Sequence, residues 1–420
     1  MSLHLATRPT RAVVTALPDD FAGWRRAILA GGGLPMVAVA GSRGKSTVVR
    51  LLDSIFRQAG LRTATWTDVG VEVRGQRRRG ELGPWSDALA QLSIGSLDVA
   101  IQELDWSTVA AVGLPAGVYP LVAVTTICAN NEVCLVQDET RRALRAYPTV
   151  LAAVAPGGTV VLNGDDYAVA GSDVSHDAPA ILVAHNRDTP LLRAHLGEGG
   201  IAAWAEDDEL CVGSELAATD LGPTAGLRFA LGGGAGFEVH NALTAAAAAA
   251  ACGLTPKTIA AALAGFEVPV ASLPGSFNVL PLAEATAVID RPAPSWYLRP
   301  VLRAVGSRSD GRLITVVGRL GGVPDDDLPE VGRLLGRASG ALVLHSEDLD
   351  TQRAALFRQG VVRNTVPPPV VHVPTERRAV NRGLKLTRPN DTLLVFADAP
   401  RATLRAIGVA SARQLAARQA

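Results

Sequence analysis

Cysteine is scarce in this sequence, and its four copies, Cys128, Cys134, Cys211 and Cys252, are scattered without CxxC spacing. That pattern excludes a cysteine zinc site and fits reduced structural thiols in a cytosolic protein. Net charge is also missing. Forty Lys and Arg offset forty Asp and Glu, so the balance points to no nucleic acid and no anionic membrane as partner. Long apolar runs are absent as well: the alanine-rich Ala242 to Leu254 falls short of the roughly 18 residues a membrane span requires. The N-terminus has no uninterrupted apolar segment of the signal-peptide kind. A soluble, cytoplasmic protein is expected. No Ser-His-Asp or Cys-His pattern suggests a nucleophilic side chain.

What is present is apolar and regular. The 420 residues, 48% hydrophobic with a mean hydropathy of +0.21, suffice for two or three domains with well-buried cores. One stretch organises them, Val37 to Leu52, VAVAGSRGKSTVVRLL. An apolar strand, Val37 to Ala40, runs into Gly41-Ser42-Arg43-Gly44-Lys45-Ser46-Thr47. A helix follows, with Val48, Val49, Leu51, Leu52 and Ile55 as its apolar face. The glycines let the backbone curl so that its N–H groups point at an anion, reinforced by the positive helix end. Lys45 brings charge to terminal phosphates, and the Ser46 or Thr47 hydroxyl completes a Mg²⁺ shell. The loop is shorter than GxxxxGK[ST], whose first glycine would fall on Val39.

The short form GxxGK[ST][ST] after an apolar strand resembles the nucleotide loop of the Mur ligase superfamily. GSRGKSTVVRLL is especially similar to the loops of poly-gamma-glutamate synthase and cyanophycin synthetase. The resemblance implies an ATP-binding P-loop from Gly41 to Thr47 and a catalytic role for Lys45. Further along, Glu103 stands at the end of the strand Asp98 to Leu104, placed to hold Mg²⁺ beside the loop or, on the plainer reading, to face solvent as a loop acid. It matches the glutamate of the family's ET or ES segment. Thr125 to Glu132 falls where the family has TNI…DH; Asn131 still offers an oxygen to a cation there but no imidazole. Leu162 to Asp166 is similar to LNADD, with Asp165 and Asp166 equally readable as turn formers or ligands. His240 to Thr244 resembles HNxxNxxAA, whose first Asn contacts adenine; Asn241 matches it and Thr244 replaces the second.

Other family positions are lost. Tyr147 stands near a lysine that relatives carbamoylate, Ser276 replaces the arginine of PGR(F/L), and Ala293 replaces the histidine of a DYAHNP-like segment that here reads Asp290 to Ser295.

The fold class expected is α/β: a P-loop central domain with a mostly parallel sheet plus a Rossmann-like C-terminal domain. Buried strands are read at Leu61 to Thr67, Asp98 to Leu104, Leu121 to Ile127, Thr159 to Asn163 and Ile181 to Ala184, with a helix from Asp138 to Ala153. Residues 195–239 lose this rhythm and suggest a small antiparallel patch, with Ile201 to Ala205, Leu227 to Ala230 and Phe237 to Val239 as its strands. From Thr286 a second βα series follows without a GxGxxG loop. The expected boundaries are 1–35 as a short segment, 36–270 as the central domain and 271–420 as the last. The first segment is too small for the ATP-grasp module or nucleotide-sugar domain of relatives, which argues against self-sufficient cyanophycin synthesis and a muramyl substrate.

The function expected is an ATP-dependent carboxylate–amine ligase, acting through an acyl phosphate on small-molecule or peptide substrates. The alternative is a degenerate nucleotide-binding scaffold or regulatory subunit, motivated by Asn131, Tyr147, Ser276 and Ala293, with room for a partner protein that supplies missing ligands. A P-loop kinase or GTPase is disfavoured, since neither NKxD nor a clear DxxG accompanies the loop.

Overall fold

The structure is a computed structural model that describes residues 12–28, 34–77, 97–127, 138–171, 177–306, 311–318, 320, 323–345 and 351–419. It divides into two units, Met1–Leu227 with Phe237–Phe266, and Arg228–Gly236 with Glu267–Ala420.

Among the described residues the first unit holds eleven strands: β1 (Met36–Ala40), β2 (Thr63–Thr67), β3 (Gly70–Val73), β4 (Gln76–Arg77), β5 (Val99–Leu104), β6 (Tyr119–Val124), β7 (Val154–Asn163), β8 (Ala180–Ala184), β9 (Ala202–Glu206), β10 (Glu209–Gly213) and β11 (Ala218–Pro223). Their order in the sheet is β11-β10-β9-β8-β7-β6-β1-β5-β2-β3-β4. From β9 to β2 every pairing is parallel. Every residue of β1 is buried, as in a strand covered on both faces. It lies between β5 and β6, with Val37 level with both Ile101 and Leu121. The carboxyl ends of three strands therefore meet where β1 stops, the position at which open α/β sheets bind ligands.

The helix Lys45–Gln58 packs on this sheet through Val48, Leu51, Leu52 and Ile55, none of them exposed. On the same helix Arg50 is buried and donates to both carboxylate oxygens of Glu72 on β3, at 2.6 and 3.0 Å. This ion pair gives no sign in the periodicity, because a charged residue at that point reads as solvent-facing.

The antiparallel segment is real but extends the main sheet. β9, β10 and β11 pair antiparallel, and Asp207 and Asp208 turn β9 into β10 with positive φ at both positions, the geometry of a two-residue hairpin. Two of its expected strands are corrected. Leu227 to Ala230 contains a 3₁₀ turn, Arg228–Ala230, and Phe237 to Val239 is the start of the helix Gly236–Ala251. Three or four apolar residues do not separate a period of 2 from one of 3.6.

The second unit carries β12 (Asn278–Leu282), β13 (Ala285–Asp290), β14 (Leu313–Val317), β15 (Ala341–His345), β16 (Val370–Val373) and β17 (Thr392–Phe396), in the order β12-β13-β17-β14-β15-β16. Only β12 runs antiparallel among them. Ile289, Ile314, Val316, Val343, Leu393, Val395 and Ile407 form the centre of its core. The α/β expectation thus holds for both sheets. Among the described residues no helix is long and apolar enough to cross a membrane.

Candidate nucleotide site

Two glycines shape the loop after β1. Gly41 has φ 147°, and a Cβ there would lie 1.9 Å from Thr125 Oγ1. Gly44, φ 82°, caps the helix Lys45–Gln58, and a Cβ would lie 2.2 Å from Asn241 Oδ1. Neither position tolerates a side chain, sterically or conformationally.

Between them the loop is pinned to the ends of neighbouring strands. Ser42 N donates to Thr126 O at 2.6 Å and Ser42 Oγ to Ile127 O at 3.0 Å. Trp106 Nε1 donates to Ser42 Oγ at 3.2 Å, and Thr125 Oγ1 to the Arg43 carbonyl at 2.6 Å. These four hydrogen-bonding groups outside the loop fix its curl before any ligand arrives, a preorganisation that lowers the ordering cost of binding.

The charged groups converge just beyond. Lys45 Nζ lies 3.6 Å from Glu103 Oε1, and Ser46 Oγ donates to Glu103 Oε2 at 2.7 Å. The Lys45 and Glu103 side chains are only 13% and 9% exposed, so their charges are poorly screened. Thr47, one residue on, is buried. Asp105 caps the next helix, Trp106–Val112, through Thr108 N at 3.0 Å. Burial works to raise its pKa but is outweighed by hydrogen bonds from Ser107 and Thr108 and by the charge of Lys45, and the net shift is downward. A cation, a hydroxyl and a carboxylate at the start of a helix can together hold a phosphate chain and a hard cation, since the latter prefers oxygen ligands.

Behind the loop, Asp166 acts as a clasp. Its Oδ2 accepts from Thr126 Oγ1 at 2.6 Å and Ile127 N at 2.8 Å, while Oδ1 caps the turn Tyr167–Ala170. Asn163 Nδ2 donates to Thr125 O at 2.5 Å, and its Oδ1 accepts from the Asp165 and Asp166 amides. Asp165 takes His185 N at 2.7 Å and His185 Nδ1 at 3.1 Å, with His240 Nε2 at 3.9 Å. Burial raises the Asp165 pKa, yet the His185 hydrogen bond and the His240 charge carry it below the usual carboxylate range. His240 is pushed down to about 4, by burial first and then by the neighbouring His185 charge.

That shift has a testable sign. The unfolded chain protonates this histidine near its ordinary pKa of about 6.5 while the fold keeps it neutral, so stability falls as pH drops through that value, until the folded group itself titrates. Between pH 7 and pH 5 the loss is expected to be about 2 kcal/mol. Chemical denaturation at the two pH values should show His240→Gln losing less than the parent protein; equal losses would assign the acid sensitivity elsewhere.

Asn241 is buried, donates to Glu238 Oε2 at 3.0 Å and packs against Gly44. Asn131, with Cys128 and Cys134, lies outside the described residues. At the positions where relatives carry ligands, Tyr147 is fully buried with its hydroxyl donating to Val169 O at 3.0 Å, Ala293 is 2% exposed, and Ser276 is partly buried in the second unit. Asp290, beside Ala293, accepts from Arg291 N at 2.9 Å. Sequence reasoning missed Thr125, Trp106 and His185 as loop or cluster members; only the placement of Thr125 at a strand end gave a signal.

No family model matches the chain. The cyanophycin synthetase of Trichormus variabilis is 26% identical over 91% of this chain, which spans 43% of that relative's length. A UDP-N-acetylmuramoyl-L-alanyl-D-glutamate–2,6-diaminopimelate ligase of Mesorhizobium japonicum is 25% identical over 86% of this chain and 72% of its own. The MurF ligase of Thermotoga maritima, solved in complex with ADP, superposes with a TM-score of 0.60 over 95% of this chain and 84% of its own at 13% identity, a likeness of fold alone. Along nine-tenths of its length the chain is thus similar to cyanophycin synthetase, and it shares the fold of a solved Mur ligase, a resemblance to the Mur ligase superfamily.

Proposed function

We propose that the chain is an ATP-dependent ligase that joins a carboxylate to an amine through an acyl phosphate. The observation that carries this reading is the meeting of Lys45, Ser46 and Glu103 at the end of β1. The related synthetases and ligases support it.

Gly41, Ser42, Arg43, Gly44 and Thr47 form the cradle for the ATP phosphates, and Asn241 is assigned to the adenine side. Ser46 and Glu103 present two hard oxygens that suit Mg²⁺, with Thr47 and Asn131 as further candidates. When bound, Mg²⁺ would neutralise phosphate charge. Lys45 contributes the fixed positive charge for the γ-phosphate, and the loop holds it in line for attack. A substrate carboxylate oxygen then bonds to the γ-phosphorus while the bond to the β–γ bridging oxygen breaks and ADP departs. The amine nitrogen next attacks the acyl carbon; phosphate leaves with the C–O electron pair, and the amine proton passes to solvent. No side chain becomes covalently modified, in keeping with the absent nucleophile pattern. The substrates are small-molecule or peptide carboxylates and amines, and the scattered thiols assign the chain to the cytoplasm.

Hydroxylamine tests the intermediate. With ATP and a panel of amino acids and acidic peptides, ATP-dependent hydroxamate formation is expected for at least one carboxylate. ATP binding with neither hydroxamate nor ADP release across the panel would favour the second reading, a scaffold or regulatory subunit. That reading draws on Tyr147 and Ala293, both built into packing where relatives place ligands.

A further inference from the structure

The second unit brings three metal-ligating side chains together. His345 ends β15, Asp398 follows β17, and Glu376 opens the helix Glu376–Leu386. One ligand atom from each lies within 4.8 Å of the other two. His345 Nε2 and Asp398 Oδ2 are 3.5 Å apart, close to the ligand–ligand edge of a tetrahedron with bonds of about 2.1 Å.

Two further observations point to an occupant. The His345 ring is 4% exposed, and its Nε2 is buried with no hydrogen-bond partner among the described residues, a costly state for a polar atom. Gly318, at the end of β14, keeps the space beside it open. A Cβ on Gly318 would lie 2.2 Å from His345 Nε2 and 2.3 Å from Asp398 Oδ2, so any side chain there would drive the pair apart. Glu376 is meanwhile oriented from behind, its carboxylate accepting from Ala399 N at 3.0 Å and from Thr403 Oγ1 at 2.7 Å, the outer support that metal-ligating carboxylates receive.

We infer that His345, Asp398 and Glu376 form a binding site for one divalent transition-metal ion of the zinc type, distinct from the Mg²⁺ expected at Glu103. An imidazole with two carboxylates suits such an ion better than Mg²⁺, which prefers an all-oxygen octahedral shell. Three protein ligands leave one coordination position for water or a small ligand. Bound metal would tie the ends of β15 and β17 to the helix Glu376–Leu386.

The test uses the full chain, stripped by chelator and titrated with Co²⁺ or Zn²⁺ alone, without nucleotide. Calorimetry is expected to show one ion per chain, and Co²⁺ to develop the visible absorption of a low-coordinate complex. Asp398→Asn, at the solvent edge, should weaken binding at least about tenfold without loss of fold, and Glu376→Gln likewise. His185→Ala, in the other histidine cluster, should leave it unchanged. Absence of binding by the parent chain, undiminished affinity in Asp398→Asn and Glu376→Gln, or binding lost only in His185→Ala would each overturn the assignment.

Discussion

Lys45→Ala is expected to abolish measurable ATP binding while leaving the fold intact. The ammonium lies on the first helical turn, 3.6 Å from Glu103 Oε1 and mostly shielded from water, so its attraction for a phosphate chain is weakly screened. Truncating one partner of a buried charge pair costs about 2–5 kcal/mol, a loss of about thirtyfold to several thousandfold in affinity. The effect grows because the Glu103 carboxylate then faces the phosphates without its counter-charge. The helix itself should persist, since its stability comes from Val48, Leu51, Leu52 and Ile55 packed against the sheet. Calorimetry with ATP reads the outcome, and normal affinity would remove the P-loop assignment.

Glu103→Gln separates charge from shape. The amide has the same size and can still meet Ser46 Oγ, now 2.7 Å from the carboxylate, but loses the negative charge that attracts a hard cation. Turnover that depends on Mg²⁺ should fall by about 10²–10³, the scale on which electrostatic groups at a reacting phosphate act. The melting temperature should change little, because Gln keeps the size of the side chain and its contact with Ser46. Unchanged turnover would reduce Glu103 to a structural partner of Lys45 and Ser46.

The elements that form this site were legible because each is a local pattern. An all-apolar strand, glycines at two tight points and Lys-Ser-Thr on a first helical turn declare the loop without knowledge of the rest. The parallel strands were legible for the same reason, being short apolar runs between helices. Long-range partners were not. Asp166 reads in the chain equally as a turn former or a ligand, and in space it clasps Thr126 and Ile127. Asn241 reads as an adenine contact, and the structure packs it against Gly44, which explains why that glycine admits no substitution. Arg50 and Glu72 are each ordinary surface residues by type, and only their meeting across helix and hairpin makes burial affordable. Likewise nothing in the spacing of His345, Glu376 and Asp398 marks a cluster. Three strand or helix ends must assemble before it exists.

The most direct measurement joins the loop and the reaction. ATP would be titrated into the purified chain with and without Mg²⁺, and ADP release then followed in the same sample over a panel of carboxylates and amines. Binding strengthened by Mg²⁺ is expected, with ADP release that continues beyond a single turnover only when both a carboxylate and an amine are present. Continued ADP release indifferent to the amine, or no ATP binding at all, would contradict this expectation.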